Sequence, residues 1–182
     1  MFSTLKNAFK IKEIRVKLLF TFLMLVVIRF GSQLPIPGVN RDYFSSWFEA
    51  QTGGAFSFFD AFTGGSFSRM SVFALSITPY ITSSIIMQLL TIAIPKLEEM
   101  QKDGEDGRKK IASITRYVTV ALALIESAAM AIGFGNQGLL QKYGPLEVIT
   151  VIAVLTAGSA FLMWIGERIT EKGVGNGISI VL

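Results

Sequence analysis

Arg29 in LLFTFLMLVVIRFGSQL and Glu126 in VTVALALIESAAMAIGF are the first candidates for chemistry, each an ionisable residue inside an apolar run. A charge in such a run needs water, a partner or a route to the interface, and intramembrane charges as a class mark ion or proton paths. Glu126 has two readings, a packed carboxyl satisfied by a neighbouring helix or a functional ionisable site. The next candidate is a stripe: Ile77, Ile81 and Ile85 recur every four residues and share a helix face. Bulky β-branched residues in line can build a narrow constriction that seals by excluding water. Periodicity alone favours a packing or lipid-facing stripe. The last candidate is FFDAFTGGSFSRMSVFALSITPYITSSIIMQLL, residues 58–90, where Gly64-Gly65, Ser66, Ser68, Arg69 and Pro79 interrupt an apolar run. With no histidine and no cysteine, zinc and other His/Cys metal sites, thiol nucleophiles, histidine triads and disulfides are excluded. No nucleotide loop or catalytic constellation stands out, so the reading is a non-enzyme without cofactor or metal.

The elements that hold these residues are membrane spans. Only 16% of residues are charged, against about 25% in soluble domains, and mean hydropathy is positive. Long apolar stretches lie between charge clusters, and a chain this short lacks the interior to bury them all in water. The spacing predicts an all-α polytopic protein: a basic tail over 1–17, spans over 18–34, 73–94, 111–134 and 147–166, and the start of another at 177–182, where the chain stops after a few apolar residues and so reads as part of a longer protein. Eleven residues separate Lys17 from Arg29, short of the roughly 20 needed to cross a bilayer. The first helix is therefore expected to run to about Leu34, with Pro35 and Pro37 ending it.

The connections are 35–58, 95–110, 135–146 and 167–176, with a separate short helix over 59–72. Asn40 is a candidate cap for a short helix carrying Tyr43, Phe44, Trp47 and Phe48. Gly104 and Gly107 are expected to turn the chain. Ala121, Ala123, Ser127, Ala128 and Ala131 predict close helix packing. Pro79 marks a break early in the second span, so that span and the short helix read as one discontinuous element, tolerated at membrane depth only when buried in protein or lining a watery cavity. Lys and Arg gather in the tail, in 96–110 and in 167–176, while 135–146 has Lys142 alone. Cytoplasmic loops carry the excess of Lys and Arg, which places the amino terminus in the cytoplasm and 35–72 on the outer side.

Four stretches in order, RFGSQLPIPGVN (29–40), FDAFTGGSFSRMSVFALSITPYITSSIIMQLL (59–90), EDGRKKIASITRY (105–117) and FLMWIGERITEKGVGNGISI (161–180), carry a resemblance. The chain resembles the amino-terminal part of the SecY family, the pore subunits of the bacterial Sec channel, in a Gram-positive-like form. The resemblance implies ten spans in two pseudo-symmetric halves, of which this chain supplies spans one to four and the first turn of five. It implies that Asp60, Ala61, Phe62, Thr63, Gly64, Gly65, Ser66, Phe67, Ser68, Arg69, Met70 and Ser71 form a plug. It also implies that Ile77 and Ile81 belong to a hydrophobic pore ring, against the periodicity reading, and that Thr82, Ile86, Ser127 and Ala128 lie on one side of a lateral gate.

The function so implied is passage of unfolded polypeptides across the bacterial cell membrane, with apolar segments released sideways into lipid. The implied partners are a small essential Sec subunit, a second accessory subunit, the motor ATPase, the ribosome, signal sequences and nascent chains, the C-terminal half of the same protein and anionic lipid. The glycines and small residues of the plug are expected to leave it poorly anchored. Two other readings compete on the residues alone: half of a secondary transporter, also built from broken helices, and a membrane scaffold without a pore.

Overall fold

The computed structural model describes residues 11–50, 54–140 and 142–182; part of the basic tail, residues 1–10, lies outside them. The described helices are α1 (Lys12–Gly31), α2 (Arg41–Ala50), α3 (Ala55–Phe62), α4 (Thr78–Ala93), α5 (Pro95–Lys102), α6 (Glu105–Asn136), α7 (Pro145–Lys172) and α8 (Gly177–Val181). Among the described residues, extended pairing is confined to two isolated bridges, Pro35 with Ser71 and Val39 with Leu140.

α6 and α7 are each long and apolar enough to cross a membrane. They form an antiparallel pair, and α4 packs against both. α6 reaches its neighbours through a row of small side chains: Thr115, Thr119, Ala123, Ser127, Ala131 and Gly135 recur every fourth residue and are all buried. Small residues let backbones approach closely where no hydrophobic effect drives helices together. Two hydroxyl pairs sit on that row. Ser83 of α4 meets Thr119, and Ser127 meets Thr156 of α7 at 2.9 Å. Of the small residues expected to pack, Ala121 is exposed, because it lies off this face.

Several boundaries differ from the spacing argument. α1 starts at Lys12 and ends at Gly31, not at about Leu34. The chain gains length by carrying the helix back through its charged residues instead of forward, so Arg29 occupies the last turn. Pro79 lies in the first turn of α4, where a missing N–H costs nothing, and residues 71–77 are irregular. Pro95 ends α4: Ile94 is extended, and α5 leaves at 102° to it. The hydrophilic connection expected as a turn is mostly helical. Gly104, at φ +79°, makes the turn. Gly107 instead lies inside α6, where a Cβ would stand 1.7 Å from the Met100 carbonyl oxygen, so its role is close contact with α5.

A second core lies at the end of the bundle where α1 and α6 finish. Asn40 Oδ1 accepts the Tyr43 N–H and so caps α2. The cap directs Phe44 and Phe48 inward, where they are buried, while Tyr43 stays exposed. Phe44, Trp47, Phe67 and Phe134 form a connected aromatic group, the contacting pairs having centroids 5.2–6.2 Å apart. Phe48 adds an edge contact to Phe67. Ile36, Val39, Met70, Leu139 and Leu140 close around it.

Candidate functional site: the interrupted segment and the head of α4

Between α3 and α4 the chain makes no regular helix. The short helix expected over 59–72 is replaced by α3 over Ala55–Phe62, followed by consecutive turns from 63 to 77. Gly64 and Gly65 take φ +62° and +78° in succession, a left-handed pair that a helix cannot continue through and that side chains disfavour.

Local hydrogen bonds fix the turns around this pair. Asp60 accepts from the Gly65 N–H through its carbonyl and from the Ser68 N–H through Oδ1, the latter at 2.8 Å. Thr63 Oγ1 donates to the Asp60 carbonyl and accepts from Phe67 N–H. Ser71 N–H closes back to the Ser66 carbonyl. These side chains replace the ladder that the glycines interrupt.

The segment is well anchored, contrary to the expectation from its glycines and small residues. Phe67 is 4% exposed and Met70 1% exposed. Ile36 N–H donates to the Met70 carbonyl and Val72 N–H to the Leu34 carbonyl, tying the run to the strand-like link after α1. Its far edge reaches the middle of the bundle. Gly158 lies near the centre of α7, and a Cβ there would stand 2.0 Å from the Val72 carbonyl oxygen. Irregular backbone thus lies halfway along a membrane-length helix, which protein burial or a watery cavity must compensate.

The candidate ring residues occupy different environments. Ile77 precedes the first turn of α4 and is fully buried. A Cβ on Gly166 would meet its Cδ1 at 3.4 Å and the Cδ1 of Ile178, in α8, at 2.6 Å. The glycine therefore opens the space that Ile77 and Ile178 share. Ile81 is half-buried and Ile85 is 53% exposed. The stripe runs from core to surface and is not lined by one environment.

The four candidate gate residues do not form a cluster. Thr82 is half-buried with its hydroxyl on the Thr78 carbonyl, and Ile86 is exposed. Ser127 is fully buried between α6 and α7, with Ala128 half-buried beside it. Ser83, next to Thr82, pairs with Thr119; Ser127 lies eight residues further along α6, about 12 Å away at 1.5 Å per residue. Glu126 is half-buried, and among the described residues no hydrogen bond or ion pair reaches its carboxylate. Arg29 donates from Nη1 to the Gly64 carbonyl at 3.1 Å.

Residue patterns missed a polar cleft at the other end of the bundle, of about 450 Å³, lined by Tyr80, Arg116, Glu167, Arg168, Asn176 and others. Arg116 Nε donates to Glu167 Oε1 at 2.7 Å, joining α6 to α7. Arg168 stacks over Trp164. The only advance signal was opposite charge at the ends of adjacent spans.

A family model described as SecY matches residues 71–182. The chain belongs to the SecY family. The protein translocase subunit SecY of Halalkalibacterium halodurans is 47% identical over 185 residues, covering 100% of this chain and 42% of that protein. Its Bacillus subtilis counterpart is 45% identical over 186 residues, with 100% and 42% covered. That of Pseudomonas aeruginosa is 45% identical over 172 residues, with 94% and 39% covered. The chain thus spans about two fifths of the length of these relatives.

Among solved structures, Sec61 in a canine ribosome-channel complex from the endoplasmic reticulum matches with a TM-score of 0.63 at 20% identity, over 92% of this chain and 35% of the other. A structure of a protein conducting channel gives the same values. At that identity the match establishes the fold. This SecY-family chain is an all-α, multi-pass membrane protein.

Proposed function

We propose that this chain is part of the central pore subunit of a Sec translocation channel. It would pass unfolded polypeptides across the bacterial cell membrane and release apolar segments sideways into lipid, with its amino terminus in the cytoplasm. The observation that carries the reading is irregular backbone at the middle of the bundle, packed on Gly158 and leading directly into Ile77 and Ile81. A transporter break would aim polar groups at a solute. Here the hydroxyl of Thr63 and the Asp60 carboxylate are spent on the segment's own backbone, which fits a stopper better than a binding site.

In this reading 60–71 is the plug and the head of α4 contributes to the ring. An apolar ring closes around varied side chains without bonding any of them, and water in so narrow a neck is unfavourable. Ile77 is buried beside Gly166 and Ile178, and in this reading Ile81 is the residue of the pair that faces a passing chain. Thr82 and Ile86 extend that face along α4 as the gate side; Ser127 and Ala128 carry the gate side on α6, farther along the bundle. The relatives are named translocase subunits, and the canine Sec61 channel is solved in a complex with a ribosome. Carried to this chain, the partners are the small essential and accessory Sec subunits, the motor ATPase, the ribosome, signal sequences and nascent chains, and the C-terminal half of the same protein. The basic tail meets anionic lipid. No reaction is assigned to the chain itself.

The test places a single cysteine in the full-length protein, at Ile81 or, as a control, at Ile132, which is 48% exposed on α6. A secretory chain with a central cysteine is stalled in the channel and oxidised. An adduct at 81 and none at 132 is the expected result. An engaged chain that forms no adduct at 81 removes Ile81 from the path and reopens the transporter and scaffold readings.

A further inference from the structure

Arg29 stands in the last turn of α1 and Gln33 two residues past its end, and both meet the glycine segment. Arg29 Nη1 donates to the Gly64 carbonyl at 3.1 Å. In the opposite direction, Arg69 Nη1 donates to Gln33 Oε1 at 2.6 Å. One guanidinium reaches from helix to segment and the other from segment to the link that follows the helix, so the turn 64–69 is held at both ends. Gly64 is held at a left-handed φ of +62°, which disfavours a side chain; a Cβ there would only touch the Arg29 nitrogen, at 3.4 Å.

Both contacts adjoin open space. A cleft of about 470 Å³ lined by Gln33, Asp60, Ser68 and Arg69 opens on one side, and a cavity of about 190 Å³ lined by Arg29, Ser32, Gly64 and Ser66 lies on the other. Water that reaches these spaces can solvate both partners once the segment leaves, so each bond adds a modest hold and not a lock. Phe67 and Met70, buried among aromatic and aliphatic side chains, are non-directional holds. A polar contact that fixes register and exchanges readily with water is what a segment must have if it is to leave and reseat in one place.

We propose that Arg29 and Gln33 are positioning residues forming a two-point clasp that sets the seated state of segment 60–71. The proposal rests on reading that segment as a movable seal. It assigns Arg29 a role in the closed channel instead of in ion or proton passage.

The test uses the full-length subunit in its complex, reconstituted in vesicles. Cysteine replaces Ser66, which is 2% exposed, as the single cysteine of the complex, and a water-soluble maleimide reports its exposure in the idle channel. Arg29→Leu is expected to raise the labelling rate about tenfold, the scale of one lost charge-assisted hydrogen bond. Arg29→Lys is expected to recover part of the protection, and Gln33→Ala to raise labelling less. A purely structural arginine would give equal labelling in the Lys and Leu variants. If Arg29→Leu does not assemble, Arg69→Leu decides from the segment side, since that guanidinium lies beside an open cleft. Wild-type labelling rates in assembled Arg29→Leu or Arg69→Leu channels that still translocate overturn the clasp and leave the channel reading intact. Loss of the channel reading would appear separately, as wild-type protein that moves no polypeptide and whose resting ion permeability is unchanged when 60–71 is deleted.

Discussion

Gly65 and Gly158 both reject a side chain, for unrelated reasons. A Cβ on Gly65 meets nothing within 4 Å, but its φ is +78°. Gly65→Ala is therefore expected to cost about 1 kcal/mol from backbone conformation alone, and Gly65→Asn less, because asparagine tolerates the left-handed region. Gly158 has no positive φ, yet its Cβ would overlap the Val72 carbonyl. Gly158→Ala must move α7 or the irregular run, and overpacking of this kind costs about 1–3 kcal/mol. Denaturation of the purified full-length protein in detergent checks both, and equal effects of Ala and Asn at 65 would contradict the conformational account. Ile77 and Ile81 separate in the same assay. Ile77→Ala empties a fully buried site and is expected to cost about 3 kcal/mol, whereas Ile81→Ala is expected to cost clearly less. In the intact channel the weights reverse: Ile81→Gly is expected to raise resting ion leakage, and unchanged conductance there would remove Ile81 from the seal.

At the scale of elements, legibility followed the length of the repeat. α6 and α7 were readable because their apolar runs are long and bounded by Glu105, Pro145 and Gly173. Their observed ends overshoot the apolar runs because a helix continues into polar residues until a glycine or proline stops it. The segment after α3 was not readable in detail. Its conformation comes from two successive left-handed glycines and from Asp60 and Thr63 bonding backbone up to eight residues away, and no hydrophobic period records such contacts. Its anchoring was misread for a related reason. Small residues dominate its composition, but Phe67 alone meets Phe44, Phe48 and Phe134, and those partners lie 19 to 67 residues away in the sequence. The candidate site shows the same split. The isoleucine stripe was visible as a pattern, but the burial of Ile77 depends on Gly166 and Ile178. Arg29 was visible as an anomaly, but its acceptor lies 35 residues on.

At the scale of the whole molecule, α6 provides the ruler. Its 32 residues span about 48 Å at 1.5 Å per residue, longer than a bilayer core of roughly 30 Å. Asp103, just before it, and Gln137, just after it, must therefore emerge on opposite sides if α6 crosses. The charges say which side is which. Lys102, Arg108, Lys109 and Lys110 crowd the Asp103 end, where among the described residues Lys102 and Lys109 pair with Glu98 and Glu105 across exposed helix surface. Such surface pairs contribute about 0–1 kcal/mol, so they do little for the fold, and the cluster's weight lies in orientation. Single cysteines at 103 and 137 in the full-length protein test this in intact cells with a reagent that cannot cross the membrane. Labelling at 137, with protection at 103 until the membrane is opened, is the expected result. Labelling at 103 alone would invert the molecule and put the aromatic core and segment 60–71 on the cytoplasmic face, where a seal would meet the incoming polypeptide first. Labelling at both positions in intact cells would mean that α6 does not cross. The depth of the irregular run beside Gly158, on which the channel reading depends, would then lose its reference.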